Sequence, residues 1–537
     1  MSKLQKWYTN LTINSFYCIN LCLAGRITEM NITSIVYRIY FQRRYEAIER
    51  YRSGTESIQK NVLEYLVNKA SGTQWGKEHG YQSIHCYGQF VENVPVSSYN
   101  DLKGYIRRMM NGEKDVLWPG RVRNFAKSSG TTNDKSKFIP VSCEGLENQF
   151  SGGRDCVACY LHANPESRMF SNGGKSLILG GCHYCMPGTQ TAITGDLSAI
   201  LIDNIPALVN LSRVPDKKTA LLADFEQKCN RIACAARSFN VTNISGLPSW
   251  MLSVLKHTLD VNGVNRIDGI WPNLEVFFHG GVAFNPYREQ FRNIITLSGM
   301  HYMETYNASE GFFGIQTDLE DTAMTLMIDY KVFYEFCPVD NIDETGEVLD
   351  GKLVVPLWEV ETGRNYAMII STACGLWRYL IGDTVRFTRR DPYKFIITGR
   401  TGSFINVFGE KLIVGNAENG LLKACAATGA QVKDYTVAPV FSNDDSRTRH
   451  QWLIEFSNRP DSIEEFSRIL DIELQAVNSL YEKVRINDIF LQPLEVIEAR
   501  PGLFDDWLKS KGKLGGQHKI PRLSNTRQVM EELIAIN

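Results

Sequence analysis

The amino-acid sequence predicts a mixed α/β protein with a large N-terminal domain and a smaller C-terminal one. A chain of 537 residues is long enough for several folding units. Amphipathic runs alternate with short β-rich runs, and this interleaving is typical of α/β architectures. The amphipathic runs are residues 220–239 and 249–259; the β-rich runs are residues 176–179, 274–278, 325–329, 332–337 and 353–360.

The chain opens with a segment of uncertain status, residues 1–29. Residues 7–25 carry no charge after Lys3 and Lys6, as in a short signal peptide. Asn10 and Asn14, however, interrupt what should be an apolar stretch, and no small-residue cleavage site follows. The sequence therefore favours an N-terminal extension, with translation starting at Met30, over an export signal.

The next segment, residues 35–70, has apolar side chains three and four positions apart among paired charges, which predicts two surface helices. Much further on, the strand-like residues 394–398 are followed by Gly-Arg-Thr-Gly at 399–402, a plausible hinge. We therefore expect a large domain over residues 30–398 and a small mobile domain over residues 399–537.

Composition excludes several classes of protein. The 58 basic and 59 acidic residues leave a net charge of −1, so no overall field attracts nucleic acid or an anionic membrane. Apolar residues at 43% and charged residues at 22% are typical of a globular domain with a sizeable core. The 13 cysteines, an odd number, favour reduced thiols over a disulfide framework. We expect a cytoplasmic protein, acting as a monomer, with no nucleic-acid or membrane partner.

The sequence most suggestive of chemistry is KSSGTTNDKSK at residues 127–137. Glycine lets the backbone approach an anion, hydroxyl groups donate hydrogen bonds, and lysine adds positive charge, so the segment has the parts of a phosphate-binding loop. A solvated turn rich in serine and threonine is the alternative that composition alone leaves open.

Two further motifs are weak when taken singly. The segment YNASE at residues 306–310 combines an aromatic ring, a hydroxyl and a carboxylate, which could contact a base, a phosphate and a hard cation. A buried tyrosine beside a capping serine would look the same. The segment YLIGD at residues 379–383 places an acid after a glycine, where it could accept both hydroxyls of a ribose or simply form a turn.

These motifs, in this order, resemble those of the adenylate-forming superfamily, whose fold has a large domain of mixed sheets with a β-barrel-like part and a mobile small domain. The nearer resemblance is to the bacterial branch of the Gretchen Hagen 3 family of acyl acid amido synthetases, also called the auxin-responsive promoter family. It covers the chain from about Met30. The segments that carry it are SSGTTNDKSKFIP, FFHGG, YNASEGFFG, FINVFGEKL and GGQHKIPRL.

The resemblance implies a role for individual residues. Tyr306 would stack on adenine, Ser309 would contact the α-phosphate, Glu310 would bind Mg²⁺, and Asp383 would hold the ribose hydroxyls beside Arg400 at the hinge. The remaining residues would surround the phosphates, with the last two delivered by the small domain: Ser128, Ser129, Thr131, Thr132, Lys137, Lys411 and Lys519.

The resemblance also implies the reaction, with ATP and Mg²⁺ as cofactors. A carboxylic acid would be adenylated and its acyl group passed to an amine, expected to be that of an amino acid, giving an amide, AMP and pyrophosphate. Two alternatives remain at this point. One is transfer to the thiol of coenzyme A, and the other is a catalytically silent protein that binds ATP or zinc.

The zinc alternative depends on two Cys-x-x-Cys pairs, Cys156 with Cys159 and Cys182 with Cys185. The first pair lies in a run that could equally be a helix with both thiols on a buried face, as is common for cysteine. Among the histidines, only His279 of FFHGG is expected near the site, as a buried residue of the core or its surroundings rather than as a general base.

Overall fold

The computed structural model describes residues 32–128, 137–184, 192–281, 284, 287–343, 346–401, 404–410, 412–441, 448–488, 490–510 and 521–537. Its helices of four or more residues are α1 Ile32–Glu49, α2 Tyr51–Ala70, α3 Gln74–Glu78, α4 Tyr87–Asn93, α5 Tyr99–Met110, α6 Cys143–Ala163, α7 Leu197–Asn204, α8 Ala207–Leu211, α9 Lys217–Ala220, α10 Phe225–Ala235, α11 Pro248–Asn262, α12 Arg288–Ile294, α13 Val414–Thr428, α14 Ile463–Val477, α15 Ser479–Arg485, α16 Leu503–Ser510 and α17 Gln528–Ile534.

The strands are β1 Asn124–Ser128, β2 Lys137–Val141, β3 Lys175–Ile178, β4 His183–Tyr184, β5 Ile193–Gly195, β6 Arg213–Val214, β7 Val241–Gly246, β8 Val276–Gly280, β9 His301–Ala308, β10 Gly311–Gln316, β11 Met324–Leu326, β12 Val332–Pro338, β13 Val355–Pro356, β14 Asn365–Thr372, β15 Tyr379–Arg390, β16 Tyr393–Arg400, β17 Phe404–Ile405, β18 Leu412–Ile413, β19 Gln431–Val440, β20 Arg449–Asn458 and β21 Glu495–Glu498.

A sheet of 12 strands organises the large domain, in the order β13-β12-β14-β15-β16-β11-β10-β9-β8-β7-β3-β6. Neighbouring strands from β6 to β9 are parallel, and those from β9 to β13 are antiparallel. The parallel strands read as apolar runs such as VFFHG, as expected where helices cover both faces. Strand β9 therefore lies where a parallel and an antiparallel half of the sheet meet.

A second sheet, β2-β1-β5-β4, carries the ends of the predicted phosphate loop. Strands β1 and β2 pair antiparallel, with Ser128 opposite Lys137. Helix α6 follows directly, and its N-cap residue Ser142 accepts a hydrogen bond from the backbone of Gly145, as capping serines do. The loop residues 129–136 lie outside the described residues.

The C-terminal part forms a sheet of its own, β19-β20-β21, covered by helices. Large apolar side chains on both sides of the predicted boundary share one core, which includes Leu177 and Phe277 as well as Ile405 and Trp452. The hydroxyl of Tyr287 donates to the backbone of Val407 at 2.9 Å across the same junction. The exact domain limits stay a prediction.

Most elements expected from the sequence are present, including α1 and α2 in place of the two predicted surface helices. The strand predicted over residues 353–360 is wrong. Only Val355–Pro356 is extended, between short 3₁₀ turns at Gly351–Leu353 and Leu357–Glu359. Pro356 explains the break, because proline lacks the N–H group that a sheet ladder needs.

Within the described residues, no helix is long and apolar enough to cross a membrane.

Candidate active site

Asp383 lies at the centre of a connected group of polar side chains. The hydroxyl of Tyr306, on β9, donates to Asp383 Oδ2 at 2.5 Å. Arg400 Nη1 lies 3.1 Å from Asp383 Oδ1, because the register of β15 and β16 places the two residues opposite each other. The same guanidinium donates to the backbone oxygen of Ile381 at 3.0 Å. Asp383 lies within the long strand β15, so the alternative interpretation of Gly382-Asp383 as a turn is wrong.

Burial and charge fix the protonation of this group. Burial opposes the charge of Arg400, but its acidic neighbours, Asp383 foremost among them, together outweigh burial and raise the pKa of the guanidinium. Burial, together with the neighbouring Asp383, raises the pKa of Tyr306 well above its ordinary value. The cation and the phenol hydroxyl are therefore stable donors to Asp383 at physiological pH.

Lys137 lies beside this group. Its Nζ donates to the hydroxyl of Tyr379 at 3.3 Å and lies 5.6 Å from the centre of the Tyr99 ring. Burial lowers the pKa of Lys137; Glu310 works in the opposite direction, and Arg400 adds to the lowering. Lys137 and Arg400 thus bring two positive charges to the same region, with Glu310 close to both.

Arg378, the residue before Tyr379, forms a buried ion pair with Glu335 that was not predicted from the sequence. Arg378 Nε lies 3.1 and 3.0 Å from the two carboxylate oxygens of Glu335, and both side chains are at most 2% exposed. Arg378 adopts a φ of 41°, which a non-glycine residue rarely takes. The only signal in the sequence is an arginine between Trp377 and Tyr379 in an otherwise apolar run.

Ser309 and Glu310 form the turn between β9 and β10, and both line a small cleft with Glu144 and Cys374. Glu310 is 8% exposed. Asn148 of α6 holds this turn, since its side-chain oxygen accepts from the Phe312 backbone at 2.7 Å. The carboxylate of Glu310 is therefore presented from a rigid turn.

The tyrosine expected to stack on a base is well covered. Tyr306 is 5% exposed, and its ring lies 5.1 Å from that of Phe313 and 6.0 Å from that of Phe395, centre to centre. The geometry supports a role for its hydroxyl in orienting Asp383. Stacking on adenine stays a prediction.

Five predicted site residues lie outside the described residues: Ser129, Thr131, Thr132, Lys411 and Lys519. The turn before Lys411 is described. Glu410, fully buried, accepts hydrogen bonds from the backbone of Val407 at 2.9 Å and of Phe408 at 2.6 Å, and lies 3.0 Å from His450 Nε2. This carboxylate fixes the turn from which Lys411 follows.

The first cysteine pair lies on α6, where Cys156 and Cys159 are buried in the apolar core. Burial raises the pKa of both thiols, which disfavours the thiolate that zinc requires. In the part of the chain that the structure describes, no group of three or more histidine, cysteine or acidic residues is arranged to hold a metal ion. Cys185 lies outside that part, and the cysteines within it are free thiols.

Models of three domains of one family match this chain. The GH3 family N-terminal domain matches residues 44–299, the central domain residues 325–400 and the C-terminal domain residues 416–528. Together these matches cover well over half of the chain and contain most of the candidate site.

Curated relatives and solved structures agree with these matches. An indole-3-acetic acid-amido synthetase of Arabidopsis thaliana is 24% identical over 90% of this chain and 92% of its own length. The solved structure of an acyl acid amido synthetase in complex with 2,4-DB is 19% identical, covers 95% of this chain and 97% of its own, and has a TM-score of 0.59. A 2-hydroxyisobutyryl-CoA ligase, solved with 2-HIB-AMP and CoA, is 12% identical over 90% of this chain and 92% of its own, with a TM-score of 0.53. The expected fold class is confirmed.

Proposed function

Because the chain belongs to the GH3 family, as its motifs predicted, we propose that it is an acyl acid amido synthetase. It adenylates a carboxylic acid with ATP and transfers the acyl group to an amine, that of an amino acid. The observation that carries this proposal is the connected group of Asp383, Tyr306 and Arg400 beside Lys137 and Glu310.

The first half-reaction brings two anions together. A carboxylate oxygen attacks the α-phosphorus of ATP, the bond from that phosphorus to the bridging oxygen breaks, and pyrophosphate leaves with the electron pair. Positive charge and fixed donors must offset the charge that develops. Lys137, held by the Tyr379 hydroxyl, is such a group, and the hydroxyls of Ser128, Ser129, Thr131 and Thr132 are proposed to join it.

Asp383 is suited to hold the ribose. A carboxylate can accept hydrogen bonds from two hydroxyl groups, and Asp383 is oriented for this by Tyr306 and Arg400 rather than left to rotate. Arg400 lies at the end of β16, where the large sheet gives way to the C-terminal part of the chain. We propose that it borders the ribose at the hinge.

Glu310 fits the requirements of a magnesium ligand. Mg²⁺ bound to substrate phosphates usually takes one or two protein carboxylates, and Glu310 is presented from the rigid turn beside Ser309, our proposed contact of the α-phosphate. When bound, the ion would offset phosphate charge. Glu310 also moderates the local positive field, since it acts on the pKa values of both Lys137 and Arg400.

The second half-reaction forms the amide. The neutral amine nitrogen attacks the acyl carbon, the bond from that carbon to the AMP oxygen breaks, and the nitrogen releases a proton. Lys411 and Lys519 are proposed to reach the site when the small domain, residues 399–537, changes position. A hinge after Arg400 would allow one site to use different side chains in the two steps.

An amine acceptor is favoured over coenzyme A. The family matches and the amido synthetase relative support amide formation, whereas the CoA ligase supports the shared fold alone. A silent ATP-binding protein is disfavoured because the curated relatives are named as amido synthetases. We include in the proposal a cytoplasmic location, as the cysteine content predicts, and a monomeric state.

ATP–pyrophosphate exchange with pools of aryl, indolyl, fatty and keto acids tests the first half-reaction. The expected result is exchange that depends on one pool and disappears in Glu310→Ala. ATP binding without exchange in any pool would contradict the proposal.

A further inference from the structure

A second group of polar side chains lies two residues before Tyr306 on the same strand. Glu304 of β9 is opposite His279 of the parallel neighbour β8. Residues two apart on a strand, and residues paired across it, point to one face, so His279, Glu304 and Tyr306 share a face of the sheet. Two residues along a strand span about 7 Å, which places Glu304 next to the group formed by Tyr306, Asp383 and Arg400.

The His279 side chain is buried, and the described residues offer no hydrogen bond to its ring. It is 2% exposed, and neither ring nitrogen has a hydrogen-bond partner among the described residues. Its ring stacks on that of Phe284 at 4.1 Å. Burial, and to a smaller extent Arg288, lowers the pKa of His279 to about 3, so the ring is neutral. A buried polar group left without a partner costs stability and calls for a functional explanation.

Two opposite charges lie beside His279 without forming a salt bridge. Arg288, on α12, lies 5.1 Å from the centre of the Phe284 ring, and among the described residues no carboxylate comes within salt-bridge distance of it. Its charge acts on the pKa values of both His279 and Glu304. Burial raises the pKa of Glu304, and no protein donor within the described ranges contacts its carboxylate.

A cation and a carboxylate that are close but not in contact, and that have no salt-bridge partner in the described part of the chain, match a ligand that carries both charges itself. An α-amino acid is such a ligand. His279 also lies near the carboxyl end of the parallel strand β8, and α/β sheets bind small molecules at such strand ends.

We propose that Arg288 and Glu304 form the subsite for the acceptor amino acid, with Arg288 bound to its α-carboxylate and Glu304 to its α-ammonium group, which loses one proton before the neutral nitrogen attacks. This inference rests on the proposed function and names the residues that select its acceptor.

Arg288→Gln tests the inference, with Arg292→Gln as matched control. Arg292 is one turn further along the same helix and is already paired with Glu289 at 3.0 Å. With a mixture of protein amino acids as acceptor, Arg288→Gln is expected to lower kcat/KM for amide formation by about 10- to 100-fold, the value of one charged hydrogen bond. Arg292→Gln is expected to behave as wild type. Equal effects of the two variants would overturn the inference.

Acceptors without a carboxylate give a second readout. Wild type should prefer the amino acids to the corresponding amino-acid amides, and Arg288→Gln should lose that preference. Glu304→Gln, a nearly isosteric change, should raise the KM for amino acids by a similar factor and retain it for ATP. A rise in the KM for the carboxylic acid instead would assign the pair to the acyl site and overturn the inference. Absence of pyrophosphate exchange in wild type would instead refute the proposed function.

Discussion

Tyr306 and Glu304, two residues apart on β9, differ in how their polar atoms are hydrogen-bonded. The hydroxyl of Tyr306 is bonded to Asp383, which is bonded in turn to Arg400. The carboxylate of Glu304 has no protein donor in the described part of the chain, and the buried ring opposite it, His279, has no partner either. At Tyr306 the polar groups are satisfied by other residues of the protein, whereas at Glu304 the described residues provide no such partner.

The difference indicates two ways of building a binding site. Where the protein pairs its own charges, the geometry is fixed before the ligand arrives, and a ribose would meet an oriented carboxylate. Where charges stay unpaired in a desolvated place, the protein gives up stability that a ligand of matching charge can restore. The following predictions test this contrast, from the largest expected effect to the smallest.

Among these predictions, Asp383→Asn should lower pyrophosphate exchange most, because Asp383 is bonded to both Tyr306 and Arg400. It weakens two hydrogen bonds to a charged group, each worth about 1.5–3 kcal/mol, so pyrophosphate exchange should fall by about 100-fold or more. Asp340→Asn is the control, because Asp340 is 93% exposed and its nearest cation is 4.0 Å away. Exchange retained in Asp383→Asn would show that this carboxylate does not hold the nucleotide.

The rate of adenylation should fall at alkaline pH when Lys137 loses its proton. A lysine is charged below its pKa, and burial lowers that of Lys137, so the charge is lost at a lower pH than in an ordinary lysine, whose pKa is about 10.4. Exchange should therefore decline as the pH rises through this lowered pKa.

Lys137→Arg should move that decline to higher pH, since arginine keeps its charge. Lys394→Arg, which changes a buried lysine paired with Asp321 at 2.6 Å, should leave the profile as in wild type. If the pH profile of exchange in Lys137→Arg coincides with that of wild type, Lys137 does not neutralise charge in the adenylation step.

His279→Phe should stabilise the protein, which is unusual for a buried histidine. Removing a buried polar group without partners should raise the free energy of unfolding by about 1 kcal/mol. His450→Phe is the matched comparison, because His450 is equally buried but lies 3.0 Å from Glu410, and should be destabilising by about 1–3 kcal/mol. Urea unfolding of both variants measures the contrast, and a loss of stability in His279→Phe would show that its ring is satisfied after all.

Local patterns in the sequence were enough to predict much of the fold and the order of the site motifs. Periodicity predicted α1 and α2, and the apolar runs predicted β8 and β12. The resemblance of YNASE and YLIGD to the motifs of one superfamily implied that Tyr306 and Asp383 serve one site, and Tyr306 does contact Asp383.

Local sequence patterns alone could not predict the pairings across the sheet. Asp383 and Arg400 meet because β15 and β16 pair with two register shifts, which no local pattern encodes. The buried pair of Glu335 and Arg378 joins residues 43 positions apart. Glu304 and Arg288 belong to no motif, and they become notable only because neither has a salt-bridge partner among the described residues.

Mass spectrometry of the reaction products tests the central claim most directly. Purified protein would be given ATP, Mg²⁺, the carboxylic acid identified by exchange, and either a mixture of protein amino acids or coenzyme A. The account predicts an acyl–amino acid amide with one AMP released for each amide, and no thioester. A thioester with coenzyme A, or release of ADP in place of AMP, would contradict it.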